Sequence, residues 1–262
     1  MLFRSQKFGG VTKTGIPIAA GAGDNAAAAL GVQAEPGDVV VSLGTSGTAF
    51  AVSHTSTHDA TGAVAGFAYA TGKFLPLVCT LNAARILDAA TQILGKSHDE
   101  IGALALSAQP GAHGLTLLPY FEGERTPNRP AATGVFAGMN LKNSNPADIA
   151  RAMIEGMLCG LVDAVDALVA LGVSVQRVLL IGGAAKNPAI ASIASSLFGR
   201  EVLVPQPGEY VADGAARQAA WALLQSAEPP QWDLGKVSSA RASATPEVVA
   251  QYRMLRDRTQ TW

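Results

Sequence analysis

The protein has 262 residues, of which 48% are hydrophobic and 15% are charged. This length can bury a sizeable core without disulfides or metals, and the composition excludes an intrinsically disordered chain. Lys and Arg number 19 against 20 Asp and Glu, a net charge of −1. We therefore expect no basic face for nucleic acid or an anionic membrane.

Cysteine and histidine offer no obvious metal site. Cys79 and Cys159 lie far apart, which argues against a disulfide framework or a thiolate zinc site and fits a reducing, cytoplasmic location. His54 and His58 have helical spacing, but the polar run around them predicts a loop, so no metal is expected there. No stretch approaches the ~20 apolar residues of a membrane helix, and the first ten residues lack the apolar core of a signal peptide.

Short strands alternate with helices in the first part of the chain. The predicted elements are a strand at 16–20, a helix at 25–30, hairpin strands at 38–43 and 48–52, hairpin strands at 64–69 and 74–78, helices at 81–94 and 100–106, and a strand at 115–118.

The clearest helix is predicted over 145–171. Asn145 is a typical N-cap, Pro146 suits the first helical position, and Asp148 favours the positive end of the helix dipole. Apolar residues recur at steps of three and four, which predicts packing in the core rather than contact with a cofactor. They are Ile149, Met153, Met157, Leu161, Val165 and Leu168.

The last part of the chain continues the same alternation. The predicted elements are a strand at 177–181, a helix at 188–198, a strand at 201–204, a helix at 211–225, a loop at 226–245 and a final helix from 246. This pattern predicts one α/β domain with a mixed sheet.

Three predicted strands end in a glycine-containing turn, at 21–24, 44–47 and 182–187. Glycine lets the backbone approach a ligand closely, and the exposed N–H groups of such turns suit phosphate oxygens. One such turn often has only a steric reason, whereas three in one domain favour a nucleotide-binding cleft.

Two other nucleotide motifs do not fit the sequence. Residues 21–26 read G-x-G-x-x-A, but a dinucleotide site needs an acidic residue about 20 positions further on, at the end of the next strand. That strand ends in Ser42 and Gly44, and Asp24 would put a negative charge beside the pyrophosphate. No G-x-x-x-x-G-K-[ST] sequence occurs, which excludes a P-loop.

Asp24 has two interpretations. It is a suitable N-cap for the helix at 25–30, which would make its role structural. Alternatively, it is a carboxylate in a glycine turn beside a phosphate-binding turn, free to accept a proton from an attacking hydroxyl.

Four motifs in sequence order resemble a known family: residues 21–27 (GAGDNAA), 42–47 (SLGTSG), 118–127 (LPYFEGERTP) and 182–187 (GGAAKN). The chain resembles the C-terminal domain of the FGGY carbohydrate kinases, and among them the xylulokinases most closely, from about residue 15 to the last helix. Ala22 and Ala184 stand where these kinases usually have glycine.

The resemblance implies an actin- and hexokinase-like (ribonuclease H-like) α/β fold, the C-terminal half of a two-domain sugar kinase. It implies that Asp24 is the catalytic base for the sugar hydroxyl, and it assigns no residue of this chain to a metal. ATP with Mg²⁺ would bind at the second phosphate loop and the adenosine motif, and the helix start at 209–216 would close the pocket. The residues implied for the nucleotide are Gly44, Thr45, Gly47, Gly182, Gly183 and Asn187. The loop at 124–127 is interpreted as a salt-bridged turn that shapes the cleft.

We expect residues 1–262 to form one domain, with residues 1–14 as a leader of unclear structure. The N-terminal domain of the family, with the first phosphate loop and most sugar contacts, is missing here, so the chain alone is expected to be inactive. With that domain, the expected reaction is ATP-dependent phosphorylation of D-xylulose to D-xylulose 5-phosphate. The alternatives are a nucleotide-binding fragment without activity and a kinase for ribulose, gluconate or glycerol. An uncovered domain face also predicts a homo-oligomer or other self-association.

Overall fold

The computed structural model describes residues 8–260. The strands are β1 (Phe8–Val11), β2 (Pro17–Ala19), β3 (Gly37–Leu43), β4 (Gly47–Ala51), β5 (Ala65–Ala68), β6 (Phe74–Thr80), β7 (Thr116–Leu118), β8 (Val135–Ala137), β9 (Val175–Ile181), β10 (Val202–Val204) and β11 (Ser238–Ala240). The α-helices are α1 (Asp24–Gly31), α2 (Ala84–Leu94), α3 (His98–Ser107), α4 (Pro146–Ala170), α5 (Pro188–Phe198), α6 (Tyr210–Leu224) and α7 (Pro246–Arg258). Short 3₁₀ turns span Ala112–Gly114 and Gly183–Lys186.

Seven strands form a mixed sheet in the order β11-β10-β9-β3-β4-β6-β5. β3, β9 and β10 run parallel to one another, and the other neighbours are antiparallel. Both predicted hairpins are confirmed, as β3 with β4 and as β5 with β6. The pairs β1-β2 and β7-β8 form two small separate sheets.

β3 shows that the central sheet is covered on both faces. Val39 and Val41 belong to the larger core, which contains residues of α2, α3, α4, α5 and α7. Val40, between them, belongs to a second core with α1. Because successive side chains of a strand point to opposite faces, this unbroken apolar run marks a strand buried on both sides. The expected mixed sheet flanked by helices is confirmed.

The long helix α4 follows its sequence signals closely. The Asn145 side chain accepts hydrogen bonds from the N–H groups of Ala147 and Asp148, and Pro146 begins the helix. Five of the six residues in the predicted apolar stripe are fully buried in the larger core, and Ile149 packs against it partly buried. Within residues 8–260, no helix is both long enough and apolar enough to cross a membrane.

Several short elements differ from the sequence predictions. Part of the expected leader, at 8–11, pairs with β2 in a two-stranded sheet, while residues 1–7 lie outside the described residues. The stretch at 226–245 is not all loop, because β11 adds an edge strand beside β10. The turn at 21–24 follows β2, which is not a strand of the main sheet. The position of this turn relative to the main sheet therefore depends on how the following helix, α1, packs.

Candidate functional site

The turns at 44–47 and 182–187 meet at the ends of the parallel strands β3 and β9. Gly182 has φ +97°, and a Cβ atom there would lie 2.5 Å from the carbonyl oxygen of Leu43. Only glycine fits this contact without displacing the backbone. Since Leu43 directly precedes Gly44, the two predicted turns lie against each other.

The hairpin turn between β3 and β4 is also closely packed from behind. Leu43 pairs with Gly47, so residues 44–46 form a tight connection. A Cβ atom on Gly47 would lie 2.7 Å from Oγ1 of Thr80 and 3.0 Å from the Leu161 side chain. Gly47 is therefore needed for the close approach of β4 to β6 and α4.

Contacts between α1 and α6 bring the third turn to the same place. A Cβ atom on Gly214 of α6 would lie 1.8 Å from the carbonyl oxygen of Ala27, so the two helices touch through their backbones. The buried Gln218 side chain donates a hydrogen bond from Nε2 to the carbonyl oxygen of Gly21 at 3.1 Å. The turn at 21–24 is thus fixed from α6.

Asp24 is exposed at the beginning of α1. Gly23, with extended backbone, is the N-cap residue and Asp24 is the first helical residue, so the capping interpretation of Asp24 is wrong. Its Oδ1 accepts hydrogen bonds from the N–H of the adjacent Asn25 at 2.7 Å and from Asn25 Nδ2 at 3.1 Å, not from a group further along the helix.

The pKa of Cys79 on β6 depends on two charged side chains near this end of the sheet. Burial raises the pKa of its thiol, the positive charge of Arg125 lowers that pKa, and the negative charge of Asp24 raises it. The Asp24 carboxylate and the Arg125 guanidinium therefore both act on the strand end beside the 44–47 turn.

The turns at 44–47 and 182–187, together with Asp24 at the end of the 21–24 turn, surround one cleft of about 870 Å³, which we call the central cleft. Gly21 and Gly23 line a separate pocket instead. Asp24, Gly44, Thr45, Gly182 and Gly183 line it, and Glu209 at the start of α6 forms part of its far wall, where the helix start was expected. Gly47 does not line the central cleft, and it instead packs against Thr80 and Leu161 behind the turn.

The charged residues that line the central cleft are Asp24, Glu209 and Lys186. Lys186 ends the 3₁₀ turn after β9 and also lines a second cavity. The sequence predicts roles for Gly182, Gly183 and Asn187 but none for Lys186, although its place within the 182–187 motif is a signal that a cation stands there.

The second cavity, of about 320 Å³, adjoins the central cleft at Gly183 and Lys186, and we call it the apolar cavity. Leu87, Ile101, Ile154 and Ile190 are among its lining residues, so its wall is largely hydrocarbon.

Asn187 lines the apolar cavity with its side chain already engaged. Its Oδ1 caps α5 by accepting the N–H of Ala189 at 3.0 Å, and its Nδ2 donates to the carbonyl oxygen of His98 at 3.0 Å. A ligand in this cavity would meet an asparagine that is held in place by α5 and α3.

The sequence predicts a salt-bridged turn at 124–127, whereas hydrogen bonds hold Glu124 in the structure. The buried Glu124 carboxylate accepts hydrogen bonds from N–H donors instead. An ion pair is formed by the preceding acid, Glu122, which contacts Arg85.

Within residues 8–260, no group of three or more His, Cys, Asp or Glu side chains could hold a metal ion. Asp24 and Glu209 are the exposed carboxylates that line the central cleft, and Asp24 is the one at a glycine turn. A single carboxylate suits Mg²⁺ that arrives with a nucleotide, because this ion keeps several waters and takes most other ligands from substrate phosphates.

Residues 39–223 match the model of the FGGY family of carbohydrate kinases, C-terminal domain. The chain belongs to this family. The matched residues include most of β3, the 44–47 turn, the loop at 124–127, the 182–187 turn and the start of α6.

Individual FGGY relatives agree with this assignment. A xylulose kinase of Streptomyces rubiginosus is 42% identical over 216 residues, which are 82% of this chain and 43% of that protein. The crystal structure of xylulose kinase from Bifidobacterium adolescentis superposes with a TM-score of 0.85 at 50% identity, covering 94% of this chain and 48% of that one. The chain therefore spans less than half the length of these relatives.

A solved structure of lower sequence identity supports the fold alone. Plasmodium falciparum glycerol kinase, whose structure was determined with ADP, has a TM-score of 0.83 at 18% identity and covers 99% of this chain and 56% of its own. The expected actin- and hexokinase-like fold, as the C-terminal part of a sugar kinase, is confirmed.

Proposed function

We propose that the chain is the nucleotide-binding part of an ATP-dependent sugar kinase of the xylulokinase type, with D-xylulose as the sugar. One observation carries the nucleotide assignment: two glycine turns that are distant in sequence, together with Asp24 from a third, line a single cleft of about 870 Å³. The xylulose kinases at 42% and 50% identity support the choice of sugar. We further propose that residues 1–262 form one domain of this enzyme.

The two adjoining cavities suggest how the nucleotide lies. Phosphate oxygens suit the backbone N–H groups of Gly44, Thr45 and Gly183 in the central cleft. The base suits the apolar cavity, whose wall offers hydrocarbon side chains and the fixed Asn187 amide. Lys186 lines both cavities and would carry the positive charge between them.

Asp24 is the proposed general base for the sugar hydroxyl. It is exposed in the cleft, and only its neighbour Asn25 is hydrogen-bonded to its carboxylate, so it is available to accept a proton. Phosphoryl transfer needs mainly positioning and charge neutralisation from a protein. When bound with the nucleotide, Mg²⁺ would neutralise phosphate charge in the region between Asp24 and the 44–47 turn.

A nucleotide-binding chain without turnover is the second candidate. It is favoured for this polypeptide alone, because the xylulose kinases that it matches are about twice as long. Both candidates share the nucleotide site, and they differ in whether the chain alone can phosphorylate a sugar.

Two assays separate these possibilities. Calorimetric titration of the 262-residue chain with Mg-ADP should show weak, saturable binding, and a coupled assay of the chain alone with D-xylulose should show no turnover. A two-domain kinase that carries this chain as its C-terminal part should phosphorylate D-xylulose in preference to ribulose, gluconate and glycerol. Efficient turnover by the chain alone would contradict the partial-enzyme proposal, and preference for another sugar would contradict the substrate.

A further inference from the structure

Glu124 is a buried acid in a loop whose chemistry the proposed function does not use. It is only 3% exposed. Its Oε1 accepts hydrogen bonds from the backbone N–H groups of Leu81 and Arg125, both at 2.7 Å. Its Oε2 accepts a hydrogen bond from Nδ2 of Asn82 at 3.0 Å. One carboxylate therefore joins two segments that are more than 40 residues apart.

The partners of Glu124 explain why an acid stands at this position. Every partner is an N–H donor, so both oxygens must act as acceptors. The Asn82 amide is fixed further, because its Nδ2 also donates to the carbonyl oxygen of Gly123 at 2.7 Å. A glutamine at 124 has one acceptor oxygen, and its NH₂ group would meet either the Asn82 amide or the Leu81 N–H. Hydrogen bonds to an ionised acceptor are also about twice as strong as neutral ones.

The segment that Glu124 holds lies directly behind the 44–47 turn. Thr80, the residue before Leu81, pairs with Gly47 across β6 and β4. The N–H of Ala84 donates to the carbonyl oxygen of Gly44 at 2.9 Å. A Cβ atom on Gly47 would lie 3.3 Å from Cβ of Ala83. Both ends of the turn thus rest on residues 80–84.

We infer that Glu124 is a positioning residue for the phosphate-binding turn and acts on it through residues 80–84. The inference rests on the proposed function for the identity of the ligand at the turn. Glu124 fixes the exit of β6 and the entry of α2, and these fix the direction of the N–H groups at 44–47. This gives the loop at 124–127 a role in phosphate alignment rather than in contact with the ligand.

The effect should be confined to the phosphates. The apolar cavity is lined mainly by α2, α3 and the 183–187 segment, and of its lining residues only Ala84 belongs to the 80–84 segment that Glu124 holds. Loss of the Glu124 hydrogen bonds should therefore weaken binding of ADP and leave binding of adenosine nearly unchanged.

The test compares Glu124→Gln with a matched control, Glu155→Gln, in the 262-residue chain. Glu155 is also buried, accepts the N–H of Gly111 at 3.1 Å and contacts Arg151, but it lines neither the central cleft nor the apolar cavity. Dissociation constants for Mg-ADP and adenosine are measured by ligand-observed NMR, together with the amide shifts of residues 44–47 and the melting temperature.

For Glu124→Gln we expect an affinity loss of about tenfold for Mg-ADP, the scale of one unmade charged hydrogen bond, with little change for adenosine. The amide signals at 44–47 should shift. For Glu155→Gln we expect a lower melting temperature. The ratio of the Mg-ADP affinity to the adenosine affinity and the amide shifts of residues 44–47 should be unchanged.

A second variant keeps the inference testable if Glu124→Gln fails to fold. Asn82→Ala removes the Oε2 contact and the hydrogen bond to the Gly123 carbonyl oxygen but leaves both Oε1 contacts of Glu124. It should lower Mg-ADP affinity by a few-fold, again without loss of adenosine affinity. If ADP and adenosine weaken together, or if neither weakens in the Glu124 and Asn82 variants, the inference is overturned and the proposed function stands. If the unaltered chain binds neither ligand, the nucleotide assignment fails together with the inference.

Discussion

Asp24 is the residue on which the proposed chemistry depends. In a two-domain kinase that carries this chain, Asp24→Asn should lower kcat by about 10² to 10⁴, the usual contribution of a general base. The amide oxygen can still accept the N–H of Asn25, so stability should change by no more than about 1 kcal/mol, the scale of a charge in the first helical turn. The measurement is steady-state kinetics beside a thermal melt.

Two further measurements on Asp24→Asn serve as controls: the KM for ATP and the melting temperature should both be unaltered. A fall in kcat with both of these preserved identifies a group that acts in the transition state. Near-normal kcat in Asp24→Asn would refute the catalytic assignment.

Lys186 is the second residue with a specific expected effect. If it pairs with nucleotide phosphates, Lys186→Met should weaken Mg-ADP binding roughly fivefold, about 1 kcal/mol for a partly exposed ion pair. Lys142→Met, at an exposed loop position outside both cavities, is the matched control and should bind Mg-ADP normally. Calorimetry at low and high salt checks the effect, because screening should reduce the difference. Equal affinities at low salt would exclude the pairing.

Sequence motifs named some residues of the site and missed others for a physical reason. Asp24, Gly44 and Gly182 stand in glycine turns that can be read locally, and the structure brings these turns to one cleft. The hydrogen bonds of Glu124 to Leu81 and Asn82 join residues more than 40 positions apart, so the sequence suggested only a salt bridge. The need for glycine at position 182 likewise becomes clear only in the structure, where this residue lies against the carbonyl oxygen of Leu43.

At the scale of the elements, the contact between α1 and α6 brings Asp24, at the start of α1, and Glu209, at the start of α6, to the same cleft. Gly214→Ala places a methyl group on the Ala27 carbonyl oxygen and should destabilise the chain by about 1 to 3 kcal/mol, as overpacking does. Gly160→Ala in α4 is the control, because its Cβ would make only an ordinary contact, 3.6 Å from the Tyr252 hydroxyl. That variant should keep or gain stability, by up to about 1 kcal/mol from helix propensity. Denaturant unfolding of both checks the difference, and equal stability would contradict the close packing.

Helix α3 carries a pH-dependent cap. Ser97 and Glu100 form a capping box, and hydrogen bonds from Ser97 and Lys96 lower the pKa of Glu100 from 4.5 to about 2. A lowered folded-state pKa gives stability that is present above pH 4.5 and lost as the pH falls towards about 2. The melting temperature of wild type should therefore exceed that of Glu100→Gln at pH 6, and the two should converge near pH 2. A constant difference at all pH values would contradict the cap.

Long elements could be predicted from the sequence and short ones could not. α4 and α5 have N-caps, a proline at the first position and apolar periodicity, and both lie within a residue or so of the prediction. β1, β8 and β11 have only three or four residues, too few for a periodic pattern, and their pairing depends on partners elsewhere in the chain. β11 was therefore expected to be loop.

At the scale of the whole molecule, the mixed sheet separates two cores of unequal size. The larger core holds the structural helices α2 to α5 and α7, and the smaller one holds α1. The proposed ligand lies at the ends of β3 and β9, where α1, α6 and the 183–187 segment come together. Self-association of the chain, expected from an uncovered domain face, stays a prediction.

The central claim is that the central cleft binds a nucleotide with its phosphates on the glycine turns at 44–47 and 182–187, beside Asp24. The most direct test is titration of the ¹⁵N-labelled chain with Mg-ADP, with chemical shifts followed residue by residue. We predict that the saturating shifts concentrate at residues 24–25, 44–47 and 182–187 and at the start of α6, and that adenosine moves only the signals around the apolar cavity. The absence of saturable shifts, or shifts that concentrate on another surface, would contradict the account.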